Sequence, residues 1–312
     1  MSTNRPTDRS RRAFLGQLAA LTAAWLAPTG PLAGEAARHA RPIPGSGERI
    51  PAVGMGTWLT FDVHDDAAAL AVRARILERF FARGGGLIDS SPMYGSAQAV
   101  LGDCLGRLDD TSGLFAATKV WTPGRWLGVR QMENSARLWD LPRFDLLQVH
   151  NLLDWETHLE TLLQWKTEGR VRYVGVTTSH GRRHDELLAV MAREPIDFVQ
   201  FTYNIDDREA ERRLLPLAAE RGIAVIANRP FQGGNLFDRV GDAPLPGWAV
   251  EIDCANWAQV FLKFIISHPT VTWAIPATSR VDHMEQNMGA LTGALPDPTL
   301  RGRMARDFAA LG

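Results

Sequence analysis

Eight short apolar runs, most bounded by Gly or Pro, alternate with longer segments of helical spacing from residue 53 to residue 276. The runs occupy residues 53–57, 86–89, 115–119, 144–150, 173–177, 198–201, 224–227 and 271–276. Between them, apolar residues fall at intervals of three and four, as in Ala68, Leu70, Val72, Ile76, Leu77 and Phe80, or Leu159, Leu162, Leu163 and Trp165. Strand alternating with helix eight times predicts a parallel sheet, whose closed form is the eight-stranded (β/α)8 TIM barrel. An open doubly wound sheet is the alternative. It lacks support at the first strand, where Gly54-Met55-Gly56 has neither a third glycine nor a helix start after it. The proline- and glycine-rich stretch 41–51 reads as a small hairpin capping the barrel bottom, and no linker divides residues 41–312.

Composition narrows the partners. The 34 Lys and Arg nearly cancel 35 Asp and Glu, so no field of one sign gathers nucleic acid or an anionic membrane surface. A small neutral or apolar partner is the default. The two cysteines, Cys104 and Cys254, lack C-x-x-C spacing and read as packing residues. His180 and His184 stand four apart, but Gly181-Arg182-Arg183 between them carries no glutamate, so the segment reads as a solvated loop and no metal site is expected.

Residues 1–40 differ in kind. A polar, arginine-bearing start leads into the nearly uncharged stretch 13–26, shorter than the roughly 20 apolar residues of a membrane span, and then into a small-residue region at 28–34. Ser10-Arg11-Arg12-Ala13-Phe14-Leu15 resembles the twin-arginine export consensus. That resemblance implies a signal peptide and linker over 1–40, recognition by the twin-arginine (Tat) machinery, a periplasmic destination and no stable membrane insertion.

In such a barrel, function gathers at the C-terminal ends of the strands. Asp89 ends the second run, Lys119 the third and His150 the fourth, while Tyr94 follows Asp89 in the loop. Each has an ordinary reading: a buried ion pair for Asp89 and Lys119, a hydrogen-bonded anchor for Tyr94, a satisfied core imidazole for His150. Together with their surroundings they resemble the aldo-keto reductase family. The resemblance rests on Gly54-Met55-Gly56-Thr57-Trp58, Ile88-Asp89-Ser90-Ser91-Pro92-Met93-Tyr94-Gly95, Thr118-Lys119, Gln148-Val149-His150, the stretch 169–176 and Ile275-Pro276-Ala277-Thr278-Ser279-Arg280. It covers essentially residue 41 to the C-terminus.

The resemblance implies an NADP(H)-dependent oxidoreductase, with NAD(H) as the alternative, that reduces an aldehyde or ketone to an alcohol or runs the reverse. Tyr94 would be the general acid, Lys119 would lower its pKa, Asp89 would keep Lys119 charged, and His150 would donate to the carbonyl oxygen. The hydride must come from a cofactor, since no side chain supplies one. Implied cofactor contacts are Gln200 and Thr178 at the nicotinamide, Thr278, Ser279 and Arg280 at the adenosine phosphate, and Gln286 with Asn287 at adenine. Asn228 and Arg229 stand where many members place an aromatic ring against the nicotinamide. Arg280 is the natural partner of a 2′-phosphate. Trp58, Trp121 and Trp126 follow strand ends and would wall the substrate pocket, while Trp139, Trp165 and Trp273 read as core. The long segment 233–253 reads as a closing flap. A catalytically weak nucleotide-binding sensor or accessory protein on the same barrel is the alternative function.

Overall fold

The computed structural model describes residues 38–311. The twin-arginine motif and the rest of the expected signal up to residue 37 lie outside the described residues. The strands are β1 (Ala40–Pro42), β2 (Arg49–Pro51), β3 (Met55–Gly56), β4 (Leu87–Asp89), β5 (Phe115–Val120), β6 (Phe144–Val149), β7 (Val171–Thr177), β8 (Phe198–Thr202), β9 (Ala224–Asn228) and β10 (Val271–Ala274).

Strands β3 to β10 form one eight-stranded sheet in chain order, each parallel to the next. The sheet curls until its ends meet. Ala274 N–H donates to Ala52 O (3.0 Å), Gly54 N–H to Ala274 O (2.9 Å) and Gly56 N–H to Pro276 O (2.9 Å). The two glycines of the first strand serve this closure. A Cβ on Gly54 would lie 2.9 Å from Leu87 O, and one on Gly56 would lie 3.0 Å from Ile275 O. Gly54-Met55-Gly56 is therefore a close-packing device and not half of a phosphate loop.

Alternation along the strands divides the core in two. Inward residues Leu87, Phe115, Leu146, Tyr173, Phe198, Ala224 and Trp273 fill the barrel floor. Phe198 stacks on Trp273 (centroids 5.3 Å, interplanar 6°), and Phe115 lies 5.2 Å from Trp273 and 5.9 Å from Tyr173. Outward residues such as Val174, Val176 and Val199 join the helices in a second, larger cluster. Helix Ala67–Ala82 shows how the sequence builds that shell. Asp66 caps it, accepting from Ala68 N–H (2.9 Å) and Ala69 N–H (3.0 Å), and Ile76, Leu77 and Phe80 carry its buried face.

β1 and β2 pair antiparallel, and Ile43 and Ile50 close the floor from below, as the hairpin reading expects. Trp139, Trp165 and Trp273 are buried, and both cysteines are buried and free. The segment 233–253, read as a flap, meets the mouth only at its front. Gly233, Gly234 and Phe237 line the barrel mouth, but helix Asn235–Val240 and the turn Gly247–Ile252 bury Leu236, Val240, Trp248, Ala249 and Ile252. Trp248 Nε1–H also donates to Asp307 (2.8 Å). Apolar side chains dock this segment, so most of it is wall and not lid. No helix among the described residues is long and apolar enough to cross a membrane.

Candidate active site

Above the aromatic floor the inward stripe turns polar. Because side chains two apart share a face, Asp89, Lys119, Gln148 and Gln200 reach the interior at nearly one level, one layer above Leu87, Ala117, Leu146 and Phe198. Lys119 is fully buried, its Nζ donates to Asp89 Oδ2 (2.5 Å) and to Ser90 O (2.8 Å), and it lies 5.1 Å from the centre of the Tyr94 ring. Asp89 Oδ1 accepts from Gln148 Nε2 (3.2 Å) and Gln200 Nε2 (3.3 Å). The carboxylate thus has a cation on one oxygen and two amides on the other.

Electrostatics follow from this burial. Desolvation works to lower the Lys119 pKa, yet Asp89 and then Tyr94 more than offset it, so Lys119 is held above its ordinary value and stays charged. For Tyr94 the balance differs from the sequence expectation. Burial raises its pKa, and the opposing pull of Lys119 is the smaller effect, so the phenol keeps its proton more firmly than a free one. Lys119 tempers that rise without reversing it.

His150 stands one layer higher, with its ring 5.8 Å from that of Tyr94 and nearly perpendicular (87°). Burial, then the charge of Lys119, push its pKa down to about 2, so the imidazole is neutral. Its Nδ1 lies 2.9 Å from Ser91 Oγ, and Ser91 Oγ already accepts from Met93 N–H (3.2 Å). The buried hydroxyl has no other acceptor among the described residues, so it donates to Nδ1 and the ring proton sits on Nε2. The imidazole is then a hydrogen-bond donor at Nε2.

These groups open onto a cavity of about 730 Å³ at the C-terminal mouth of the barrel. Asp89, Tyr94 and His150 line it, as do Trp58, Thr178, Gln200, Asn228 and Arg229. Lys119 lies beneath. Other expected residues fall elsewhere. Trp121 is 6.5 Å from the His150 ring but does not line the cavity, and Trp126, in the first turn of helix Arg125–Leu138, is largely exposed and packed under Arg130 (5.3 Å). Thr278, Ser279, Arg280, Gln286 and Asn287 lie outside this cavity, beside and on helix Val281–Met288. Thr278 Oγ1 accepts from Arg280 N–H (3.1 Å), Ser279 O accepts from Arg73 (3.3 Å), and the exposed Arg280 pairs with Asp282 (2.6 Å). Gln286 is exposed and Asn287 is buried.

Several lining residues escaped the sequence reading. His180, assigned there to a solvated loop, lines the cavity with Arg182 and Arg183, because the chain turns back over the mouth after β7. Gln148 and Ser91, which support the site without lining the cavity, were given no role there either, although alternation along β6 puts Gln148 on the inner face with Leu146. Among the described residues, no group of three or more His, Cys, Asp or Glu is arranged to hold a metal.

Comparison with known proteins agrees with this layout. The model of the Aldo/keto reductase family matches residues 52–300. The chain belongs to that family. An uncharacterized oxidoreductase of Schizosaccharomyces pombe is 28% identical over 176 residues, covering 56% of this chain and 52% of its own length. An aldo-keto reductase of Bacillus subtilis is 25% identical over 199 residues, covering 59% of each. The matched stretch thus spans little more than half of these two curated relatives. Among solved aldo-keto reductase structures, one from Klebsiella pneumoniae in complex with NADP and acetate superposes with a TM-score of 0.68 at 25% identity, covering 85% of this chain and 93% of that one.

Proposed function

We propose that this aldo-keto reductase is an NADP(H)-dependent oxidoreductase that interconverts an aldehyde or ketone with its alcohol, with Tyr94 as the general acid of reduction. The observation that carries the proposal is the placement of Tyr94 and His150, 5.8 Å apart, on the cavity lining above a buried Lys119–Asp89 pair. Family membership supports it, as does the K. pneumoniae neighbour in complex with NADP.

The residues present fit a nicotinamide nucleotide. Thr178 Oγ1 is buried on the cavity wall without a partner, the Gln200 and Asn228 amides stand beside it, and Gly233 and Gly234 leave open space at the rim. Thr178, Gln200 and Asn228 would hold the nicotinamide end and Arg229 a phosphate, with Thr278, Ser279, Arg280, Gln286 and Asn287 assigned to the adenosine end. The bound nucleotide supplies the hydride.

The chain's own groups do the rest. A carbonyl taking up hydride gains negative charge on oxygen, and two donors meet it: His150 Nε2–H orients the oxygen, and the Tyr94 hydroxyl gives up its proton. Burial keeps Tyr94 protonated until then. Lys119 stabilises the phenolate left behind, and Asp89 holds Lys119 charged and in place.

Tyr94→Phe tests this reading. The ring stays and only a hydroxyl is lost, so nucleotide binding should persist while kcat for a carbonyl found by screening with NADPH and NADH falls by about 10² to 10⁴. An unchanged kcat removes Tyr94 from the mechanism. The motif at Arg11 and Arg12 supports a further part of the proposal, export in the folded state with the nucleotide already bound. Replacing both arginines by lysine should retain the protein in the cytoplasm, and normal export of that variant would refute the route.

A further inference from the structure

The cavity lining combines two chemistries. Trp58, Leu59, Met93, Phe231 and Phe237 are apolar. His180, Arg182 and Arg183 come from the loop after β7, and Arg229 from the loop after β9. Asp89 is the one carboxylate among the lining residues, and its charge is taken by Lys119. The cavity therefore has a surplus of positive charge in a chain whose overall charge is −1.

Two of these cations are braced or shared. Arg183 grips Glu186 (2.6 and 2.5 Å) and donates to Asn151 O (2.6 Å), which ties the loop to the turn that carries His150. Arg229 lies 6.0 Å over the Trp58 ring and feels Asp207 without an ion pair. Arg182 has no ion-pair partner among the described residues. The loop that presents it is held in a fixed shape: His180, Gly181 and Arg183 all have positive φ (62°, 66° and 56°), His180 N–H donates to Thr202 Oγ1 (3.0 Å), and Arg182 N–H donates to Ser179 O (3.3 Å).

From this arrangement we infer that the substrate is an amphipathic carbonyl compound, its apolar body lying against Trp58, Met93 and Phe237 and a carboxylate-type anion bound by Arg182. The inference rests on the reductase reading of the same site. Arg182 is exposed at the mouth, and a guanidinium without a protein carboxylate is matched by a bidentate anion. The link from Arg183 to Asn151 puts this loop on the His150 side of the mouth, so the anion belongs to the molecule whose carbonyl meets His150 and Tyr94. Arg229 and the glycines after it remain for the nucleotide.

A matched pair of aldehydes tests it: 4-formylbenzoate, which carries the anion, and 4-methylbenzaldehyde, which replaces it with a methyl group. In Arg182→Ala the ratio of kcat/KM for the two should fall by about tenfold, equivalent to roughly 1.4 kcal/mol, and Arg182→Lys should restore part of it. Added salt should weaken only the anionic substrate in the wild type. A ratio that does not move overturns the inference. So does an Arg182→Ala variant that raises the KM of the nucleotide equally with both aldehydes, since the rim would then serve the nucleotide phosphates. If neither aldehyde nor any other carbonyl is turned over, the reductase reading fails separately, and binding of the two compounds followed by tryptophan fluorescence decides the anion site. Binding of 4-formylbenzoate that depends on Arg182 keeps the site, and binding indifferent to Arg182 overturns it.

Discussion

Asp89→Asn removes one charge from the most enclosed ion pair among the described residues and almost nothing from its shape. In the wild type, fully buried Lys119 faces Asp89 Oδ2 at 2.5 Å. On the amide side, a flip of Gln148, whose Oε1 is buried without a partner, would accept an N–H of the introduced carboxamide, but Gln200 Nε2 would then lose its acceptor, at a cost of about 1–3 kcal/mol. The charge is different. An uncompensated buried cation costs about 3–5 kcal/mol. The escape route, loss of the Lys119 proton at pH 7, costs about 4.6 kcal/mol from an ordinary pKa of about 10.4, so it gives little relief. Adding Lys119→Met removes the stranded charge and fills the space with a side chain of similar length. The double variant should then recover to within about 2 kcal/mol of wild type, the remainder reflecting the partners lost at Ser90 and Gln200. Equilibrium urea unfolding, followed by tryptophan fluorescence and far-ultraviolet circular dichroism, reads both values. A single variant less than about 1 kcal/mol weaker, or a double variant in which the two losses add, would refute the claim that these groups form one coupled buried pair.

Four other outcomes follow from the same geometry. With His150 neutral and Tyr94 raised, kcat/KM for reduction should be flat from about pH 6 to pH 9 and decline only above about pH 10 as Tyr94 ionises; an inflection near 6.5 would show that His150 titrates. The same alkaline range should bring loss of stability: a raised Lys119 pKa contributes in full below its unfolded value of about 10.4 and is lost as pH climbs through the folded one. Ser91→Ala should free the His150 tautomer, seen as a shift of its ¹⁵N resonances, and lower kcat with little change in nucleotide affinity, while Ser91→Thr should rescue it; an unshifted spectrum would refute the assignment. Arg280→Ala should weaken NADP(H) more than NAD(H), and Asp282→Asn should do the opposite by freeing Arg280 from its present partner; equal effects on both nucleotides in titration would remove Arg280 from the 2′-phosphate.

The barrel could be read from the chain because its signal is periodic. Each of the eight runs had to be apolar on both faces or nearly so, and the turn from Leu87 to Asp89, from Ala117 to Lys119 and from Leu146 to Gln148 and His150 marks the level where the floor ends and the site begins. Side chains fixed by strand register were therefore legible. Those set by loop geometry were not. Trp126 is exposed beneath Arg130 and does not line the cavity, and the loop that brings His180 and Arg182 to the mouth carries three positive-φ positions. The competition between burial and Lys119 for the Tyr94 proton depends on depth, which no spacing encodes.

The stacked rings of Phe115, Tyr173, Phe198 and Trp273, shut from below by Ile43 and Ile50, leave the polar layer with a single doorway. Trp58 and Arg229, 6.0 Å apart, stand on the lining of the cavity that Gln200 and Thr178 share. Arrival and departure then share one route and form a queue: the ligand seated deepest enters first and leaves last. An inhibitor lodged in that doorway would trap the inner ligand without touching it.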